Sequence, residues 1–381
     1  MKPLSLRLQF LIIPCLFSFS IVAQKHFNLI VKLPPGINKG QVEAYLDDGK
    51  GVGKIKSQPT ADGQLVFKGD YYSLYAAITI QDTSLNGFSN DFFVQEKSAI
   101  IRFYPSNSPD SPFKKYSLEN VVDFKMEKKL INDYCAAELK SFTDYETKYG
   151  DRFFSGTDTA VQNYFFNVLE KDLMKKKIEY ILKNLDSYYS FYSFRSYIAS
   201  RGTLPADSLF SVFNAFPEKF KFSDEGNYLN TVLHGRMLKQ NNDSIDFTST
   251  DINKRKVSLS EFKGKKCVVL HFWATWCTPC MQELPAVKEI SNLYKPKDVQ
   301  IISVALPSSK YSDYLATLKR YQMDWIQIYN DTDIFNKYGN KATPRICLID
   351  KTGKLVYDKN GYEKSDSELN ELKEKIAEAI K

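Results

Sequence analysis

The sequence predicts three consecutive parts: a small all-β domain, an all-helical middle region and a C-terminal α/β domain. In residues 25–120, apolar and more polar residues alternate in short runs, which is typical of strands with one buried face. In residues 121–240, apolar residues recur every three or four positions, as on the buried face of a helix. In residues 245–381, strand-like apolar runs alternate with helical segments, which favours a parallel sheet core. A chain of 381 residues is long enough for two or three domains.

Composition is that of a globular protein with ample material for packed cores. Apolar residues make up 43% of the chain and aromatic residues 14%. The formal net charge of +7 is modest for this length, and no basic run is interleaved with aromatic residues in the manner of a nucleic-acid-binding surface. The charge is therefore interpreted as solvated surface, and no nucleic-acid partner is expected.

The N-terminus has the pattern of an export signal. Lys2 and Arg7 precede an apolar stretch over residues 10–23, which Pro14 and two serines interrupt. The stretch is too short and too interrupted for a comfortable membrane span, so a cleaved signal peptide over residues 1–23 is predicted, with an uncleaved membrane anchor as the alternative. In either case the rest of the chain is expected in an oxidising compartment, the periplasm or cell envelope.

The β domain is expected to be a small antiparallel sandwich or barrel without catalytic residues. Its predicted strands lie at residues 27–33, 42–46, 64–69, 75–82 and 91–104. Turn-rich segments at 47–51 and 61–63 separate some of them. A stretch rich in proline and serine, residues 105–112, predicts a boundary. A spacer or docking role is the interpretation of this domain.

The middle region is predicted to be a set of packed helices. The buried stripe of the first helix comprises Ile131, Cys135, Leu139, Phe142, Tyr145 and Tyr149. Asp158 is the predicted N-cap of the second helix, whose buried positions are Val161, Phe165 and Val168. A further helix opens at Pro205 and buries Leu209, Val212, Phe213 and Phe216. The aromatic run 188–194 could be a binding surface, but helix packing is the preferred interpretation, and residues 240–244 are predicted to be a linker.

The C-terminal domain is organised around residues 268–285. Val268–Trp273 is a short apolar run, as expected for a strand covered on both faces. Pro279 suits the first turn of a helix, where its missing N–H costs nothing. Cys277 therefore precedes a helix start, where unpaired backbone N–H groups stabilise a thiolate over a thiol and make it a nucleophile. Cys280 follows one turn later, placed to close a disulfide with it.

A Trp-Cys-x-x-Cys motif after a strand, with Pro285 five residues past the second cysteine, resembles the thioredoxin superfamily. The run Phe-Trp-Ala-Thr-Trp-Cys at 272–277, together with Glu283, resembles more specifically the exported TlpA/ResA-type thiol-disulfide oxidoreductases. The resemblance covers the last third of the chain. It implies a thioredoxin fold, dithiol–disulfide exchange with protein thiols and disulfides, and a membrane or envelope redox partner. It implies no metal and no organic cofactor. The β domain resembles, in pattern, those that some Gram-negative bacteria place before exported thioredoxin domains.

The resemblance also assigns roles to residues. Cys277 is the exchanging nucleophile, expected to be exposed, and Cys280 is the shielded resolving thiol. Glu283 is the candidate acid/base near the buried thiol, with a solvated helix glutamate as the alternative. The residues expected to contact substrate are Trp276, Thr343 and Pro344. The Thr343–Pro344 bond matches the superfamily's cis-proline position, although an ordinary trans turn is the alternative.

His271 departs from the superfamily pattern. It takes the strand position, six residues before Cys277, where thioredoxins keep a buried acid. Either His271 shares in proton handling or Glu283 has taken over that task. Glu283 is favoured, because a core histidine with satisfied hydrogen bonds is the commoner case.

Competing interpretations of the cysteines are weaker. A zinc site needs three or four ligands, and the other cysteines and the three histidines are scattered. Leu270 and Ala274 replace the proline and threonine expected of a peroxiredoxin. Cys135, Cys267 and Cys347 are interpreted as core residues, with a second bridge as the alternative. The opposing functional hypothesis is a non-catalytic envelope binding module, whose disulfide is only structural.

The remaining elements of the C-terminal domain follow from apolar periodicity. An edge hairpin is predicted from residues 245–248 and 256–259. Pro285 is expected to kink the helix after the cysteines. The other predicted elements are strand 299–305, helix 309–322, strand 325–329, helix 333–338, strand 346–349, a hairpin turn at 351–354 and helix 366–380.

Overall fold

The structure, a computed structural model, describes residues 24–381 except for 61–63, 85–86, 106–112, 155–157, 202, 295–297, 307–310 and 341–342. The predicted signal peptide, the turn at 61–63 and nearly all of the predicted boundary at 105–112 therefore lie outside the described residues. The chain forms two compact units, with the division between Val122 and Asp123. Within the part that the structure describes, no helix is both long and apolar enough to cross a membrane.

The first unit is a sandwich of two five-stranded sheets that enclose one apolar core. Its strands are β1 (Lys25–Lys32), β2 (Val42–Asp47), β3 (Val52–Ile55), β4 (Gln58–Pro59), β5 (Leu65–Tyr71), β6 (Ala76–Asp82), β7 (Gly87–Val94), β8 (Ala99–Phe103), β9 (Tyr116–Glu119) and β10 (Val121–Val122). One sheet has the order β4-β5-β1-β8-β9, and the other has the order β10-β7-β6-β2-β3. Each strand of the core turns alternate residues inward, as the alternation of apolar residues predicts.

Three details of the β prediction were wrong. The segment 91–104 is not one strand but parts of β7 and β8, because the exposed polar residues 95–98 form a turn between them. The sheets are not purely antiparallel, since β1 and β8 pair in parallel. The proline- and serine-rich stretch does not end the unit either. Phe113 is buried in its core, and β9 and β10 complete its sheets.

The second unit begins with packed helices, as predicted. They are α1 (Lys125–Tyr134), α2 (Ala136–Phe154), α3 (Thr159–Tyr164), α4 (Glu170–Leu182), α5 (Tyr188–Ser193), α6 (Ala206–Ala215), α7 (Glu218–Lys221) and α8 (Asp224–Met237). Asp158 caps α3 by accepting a hydrogen bond from the Val161 N–H. The aromatic run 188–194 is buried, and Phe191 stacks on Phe220, so packing is the correct interpretation of that run.

The helical prediction fails at two positions. The first predicted helix is two helices, α1 and α2, which meet at the fully buried Cys135. Val168 is 38% exposed, although it was assigned to the buried face. Val168 lies within a π-helical turn, residues 165–169, whose wider winding moves its side chain off the face that a regular α-helix would bury.

The C-terminal α/β domain has the predicted thioredoxin-like order of elements. They are β11 (Thr248–Thr250), β12 (Lys256–Ser258), β13 (Cys267–Trp273), α9 (Thr278–Tyr294), β14 (Val299–Ala305), α10 (Tyr311–Arg320), β15 (Ile326–Tyr329), α11 (Thr332–Lys337), β16 (Arg345–Ile349), β17 (Leu355–Asn360) and α12 (Asn370–Ala379). The main sheet has the order β15-β14-β13-β16-β17. Only β13, β14 and β15 are parallel, so the predicted parallel core makes up three of the five strands of a mixed sheet. Every residue of the central strand β13 is buried.

The helical region and the α/β domain belong to the same compact unit and share direct contacts. A Cβ atom on Gly235 of α8 would lie 1.8 Å from the Lys337 carbonyl oxygen at the end of α11. Asn336 of α11 donates a hydrogen bond of 2.7 Å to the Tyr228 hydroxyl. The predicted linker is also bonded to this domain, since the Asn241 N–H donates to the Leu355 carbonyl at 2.7 Å. The two regions therefore pack backbone to backbone.

We expect Gly235→Ala to destabilise the second unit by about 1–3 kcal/mol, because the added methyl must push α8 away from α11. Urea unfolding followed by circular dichroism measures the change. Asn227→Ala, on the exposed face of the same helix, is the matched control and should change stability by less than about 0.5 kcal/mol. Equal stability of the Gly235 variant and the parent would contradict the close packing.

Candidate active site

The two cysteines of the motif form a disulfide at the junction of β13 and α9. The Cys277–Cys280 bond has an S–S distance of 2.05 Å and a Cα–Cα distance of 5.2 Å. The Cys280 backbone N–H donates to the Cys277 sulfur at 3.2 Å. One of the helix-start N–H groups therefore points at the first sulfur, as expected for a residue that must stabilise a thiolate.

The expectation that Cys277 would be exposed was wrong for this disulfide form. Cys277 is 5% exposed and Cys280 is fully buried. Cys277 packs with Trp273 and Ala274 in the apolar cluster of the domain, and the bonded sulfurs cover each other. The exposed neighbour is Trp276, whose side chain is 65% exposed. It presents a large apolar surface beside the disulfide.

Glu283 is buried in the domain, not solvated. It lies on α9 three residues beyond Cys280, on the same side of the helix, and is 1% exposed. Burial raises its pKa from the ordinary value of 4.5 to about 7, because the charged carboxylate is desolvated. Lys359 lowers the pKa and Asp366 raises it, both by charge. These two residues are ion-paired with each other at 2.8 Å.

The structure brings His271 and Glu283 together. His271 is fully buried on β13, and its Nε2 lies 3.6 Å from Oε2 of Glu283. Its Nδ1 lies 3.2 Å from the Ser303 hydroxyl on β14, which also accepts a 2.8 Å hydrogen bond from the Trp325 indole N–H. Burial lowers the pKa of His271 to about 3, so the ring is neutral near pH 7. Neither Ser303 nor Trp325 was predicted from the sequence. A signal for Ser303 exists, since it is a polar residue inside a buried apolar strand.

The proline of the predicted substrate loop lies at the same edge of the sheet as the disulfide. The Thr343–Pro344 peptide bond is cis, as the resemblance implies. β16 pairs with β13 so that Arg345 is opposite Phe272, which places Pro344 next to the end of β13 that leads into the cysteines. The Pro344 carbonyl accepts a 2.8 Å hydrogen bond from the Gly361 N–H.

Arg345, which was not predicted from the sequence, holds this loop through hydrogen bonds in the interior of the domain. Its guanidinium donates two hydrogen bonds to Asp358 of β17, at 2.8 and 2.9 Å. It also donates to the Asn340 side chain at 3.0 Å and to the Tyr338 carbonyl. Arg345 is buried, so this paired geometry also satisfies its charge. No sequence signal other than its position after the proline points to it.

The other cysteines are core residues, as interpreted from the sequence. Cys135, Cys267 and Cys347 are buried free thiols. Burial raises the pKa of Cys347 to about 12 and also raises the pKa of Cys267. These thiols are therefore poor nucleophiles near neutral pH.

A known protein family matches the C-terminal part of the chain, and known proteins are similar to about a third of its length. The Redoxin family model matches residues 239–376. ResA, a thiol-disulfide oxidoreductase of Bacillus thuringiensis, is 35% identical over 152 residues, which are 38% of this chain and 86% of that protein. ResA of Bacillus subtilis is 30% identical over 129 residues, which are 33% of this chain and 71% of that protein. The crystal structure of the thioredoxin domain of a Bacteroides vulgatus thiol-disulfide oxidoreductase covers 36% of this chain and 99% of that chain, with 26% identity and a TM-score of 0.32.

A thioredoxin-like domain with a Cys-x-x-Cys disulfide of the redox-active type places the protein in the class of thiol-disulfide oxidoreductases. The chain belongs to the ResA-type thiol-disulfide oxidoreductases of the thioredoxin superfamily. It is therefore an enzyme of thioredoxin-like activity. The β unit and most of the helical region, residues 24–238, lie outside the matched family.

The raised pKa of Glu283 predicts a pH-dependent stability. The folded state holds the Glu283 proton up to a pH of about 7, whereas the unfolded chain loses it near 4.5. This contribution to stability is therefore complete below about pH 4.5 and is lost as the pH rises through about 7. Relative to the parent, Glu283→Gln should gain up to about 3 kcal/mol between pH 5 and pH 8. Urea unfolding at both pH values measures it, and an identical pH dependence in both proteins would refute the assignment.

Proposed function

We propose that the protein is exported and exchanges its Cys277–Cys280 disulfide with protein substrates through a mixed disulfide on Cys277. The observation that carries the proposal is a disulfide at the start of a helix, with a buried carboxyl group one turn behind it. The helix-start N–H groups favour a thiolate on Cys277, and the carboxyl can exchange a proton near neutral pH.

Export is supported by the N-terminal pattern and by the chemistry. Lys2 and Arg7 precede the apolar stretch 10–23, as in a signal sequence. A Cys-x-x-Cys enzyme that works on disulfides of envelope proteins meets its substrates in an oxidising compartment. We infer a periplasmic or cell-envelope location and a redox partner in the envelope.

The exchange proceeds in two balanced steps. A substrate thiolate attacks the Cys277 sulfur, a substrate–Cys277 bond forms, and the Cys277–Cys280 bond breaks. Cys280 takes the electron pair and a proton. The second thiol of the substrate then loses its proton and attacks the substrate sulfur that is bonded to Cys277. Cys277 leaves as a thiolate, and the substrate keeps the new disulfide bond. Run backwards, the same steps reduce a substrate disulfide, with Cys280 as the resolving thiol.

Glu283 is the group proposed to supply and accept the Cys280 proton. Cys280 and Glu283 are both buried, so bulk water cannot serve the thiolate directly. A carboxyl with a pKa of about 7 is close to equally protonated and ionised at neutral pH, which is optimal for proton transfer in both directions.

Substrate contact is assigned to Trp276, Thr343 and Pro344. The exposed indole of Trp276 offers an apolar contact next to Cys277. Thr343 and Pro344 lie at the same sheet edge, where an extended substrate segment could pair with the loop backbone. Protein substrates with an accessible, extended segment around the cysteine fit this arrangement.

The order of the two sulfurs is tested by trapping. With Cys280→Ser, the mixed disulfide on Cys277 has no resolving partner, so it should accumulate and carry the physiological substrate through purification from the native envelope. Mass spectrometry after reduction identifies that substrate. Cys277→Ser is the matched control and should trap little, because Cys280 is fully buried. Equal trapping by both variants would overturn the order, and trapping by neither would favour a binding module.

The role of Glu283 is tested by its amide variant. Glu283→Gln should slow insulin disulfide reduction at pH 7 by roughly 100-fold, because the Cys280 thiol loses the base that accepts its proton before it resolves the mixed disulfide. It should also remove the part of the pH profile that is centred at about pH 7. Circular dichroism confirms that the variant is folded. A folded variant with the parent's rate and pH profile would exclude Glu283 from the chemistry.

A further inference from the structure

A line of four buried polar groups crosses the sheet from Trp325 to Glu283. The Trp325 indole N–H donates to the Ser303 hydroxyl at 2.8 Å, and this hydroxyl lies 3.2 Å from Nδ1 of His271. On the other side of the ring, Nε2 faces Oε2 of Glu283 at 3.6 Å. Among the described residues, neither Nε2 nor Oε2 has any other hydrogen-bond partner. The two unpartnered atoms are buried and face each other.

The number of polar hydrogens along this line determines which ring nitrogen of His271 carries its hydrogen. The indole of Trp325 can only donate, so it occupies a lone pair of Ser303. If Nδ1 of His271 also donated to Ser303, the buried serine hydrogen would have no acceptor. Ser303 must therefore donate to Nδ1, which leaves the single ring hydrogen of His271 on Nε2, directed at Glu283. Only in this arrangement does each polar hydrogen of Trp325, Ser303 and His271 point at an acceptor atom, with the Nε2–H directed at Oε2 of Glu283 from 3.6 Å.

We propose that His271 is a positioning residue for the redox reaction: Ser303 and Trp325 lock its Nε2–H toward Glu283, where it stabilises the carboxylate that forms when Glu283 gives its proton to Cys280. This inference rests on the proposed role of Glu283. At 3.6 Å the contact is just beyond hydrogen-bonding distance in the disulfide form. A developing negative charge on Oε2 would draw it closed, so the donor acts at the moment of proton transfer.

The step balances as follows. As the substrate thiolate bonds to Cys277, the Cys277–Cys280 bond breaks and its electron pair remains on Cys280. The carboxylic acid proton of Glu283 moves to this sulfur, which leaves the negative charge on the Glu283 carboxylate. The Nε2–H of His271 donates a hydrogen bond to this carboxylate, and the ring takes up no proton. The imidazole stays neutral throughout, which agrees with its fully buried position.

Substitutions at His271 or Ser303 do not remove the other ionisable groups that lie near Glu283. Lys359 on β17 and Asp366 act on it with opposite charge, and they are paired with each other. Tyr357, also on β17, is close enough for Glu283 to raise its pKa by charge. None of the three donates to the His271 ring or to Ser303. Changes at His271 or Ser303 therefore leave these influences in place.

The test compares His271→Leu, His271→Gln and Ser303→Ala by the pH profile of insulin disulfide reduction. The leucine variant has no donor, so the midpoint assigned to Glu283 should rise by about one pH unit. Glutamine places an amide N–H near the position of Nε2, and its midpoint should return to within a few tenths of a unit of the parent. Ser303→Ala releases the ring without changing Glu283, and its midpoint should lie between the parent and the leucine variant.

A second measurement reads the imidazole directly. Nitrogen-15 NMR distinguishes a protonated from an unprotonated ring nitrogen, and the chain has three histidines, so loss of one signal in His271→Gln assigns it. We expect the Nε2–H form in the parent and a mixture of both forms in Ser303→Ala. The Nδ1–H form in the parent would overturn the proposal even if a variant fails to fold.

The outcomes separate this inference from the proposed function. If Glu283→Gln leaves the pH profile unchanged, the role of Glu283 itself is refuted. If Glu283→Gln abolishes the midpoint but His271→Leu leaves it in place, Glu283 stands and the role of His271 is refuted. A glutamine variant that shifts as far as leucine would also overturn it, because the donor would then not be what matters. When Glu283 is already replaced by Gln, the additional change His271→Leu should not alter the pH profile further.

Discussion

The burial of one carboxyl group behind a disulfide is the constraint on which the site depends. Burial makes the charged form of Glu283 unfavourable, so the pKa of its carboxyl group rises to about 7. Cys280 is buried as well, and its sulfur is shielded from solvent. In the proposed exchange, the buried Cys280 needs a proton source that is buried with it. The helix α9 provides both, because residues three apart share a helix face.

The sheet provides the support for this arrangement. Every residue of β13 is buried, so any polar side chain on it must find partners inside the protein. His271 finds Ser303 on the neighbouring strand, and Ser303 in turn finds Trp325. The polar line therefore follows from a single polar residue in an apolar strand. The antiparallel neighbour of β13 carries Pro344 and the buried Arg345 to the same edge of the sheet. The loop that is proposed to contact substrate is therefore held by the strand next to the one that leads into the cysteines.

The helical region is physically part of the redox unit, although family similarity does not extend over most of it. The contact of α8 with α11 is made at a glycine, where no side chain separates the backbones. α11 leads into the segment that ends at the cis peptide bond before Pro344. A close packing of this kind resists small displacements, since a few tenths of an ångström already produce steric overlap. The helical region is thus packed tightly against the α/β domain at α11.

The sequence by itself determined the local features of this protein. The Cys-x-x-Cys motif after an apolar run, the alternation of strands and helices and the caps depend on neighbours within a few residues, so periodicity and turn chemistry predicted them. Only the tertiary structure decided what depends on contacts between distant segments. It buried Cys277, paired β1 with β8 in parallel, and turned Val168 outward through a π-helical turn. It also joined His271 to Glu283, Ser303 and Trp325, since residues that are 12 to 54 positions apart meet only when the strands pair and the helix packs across them.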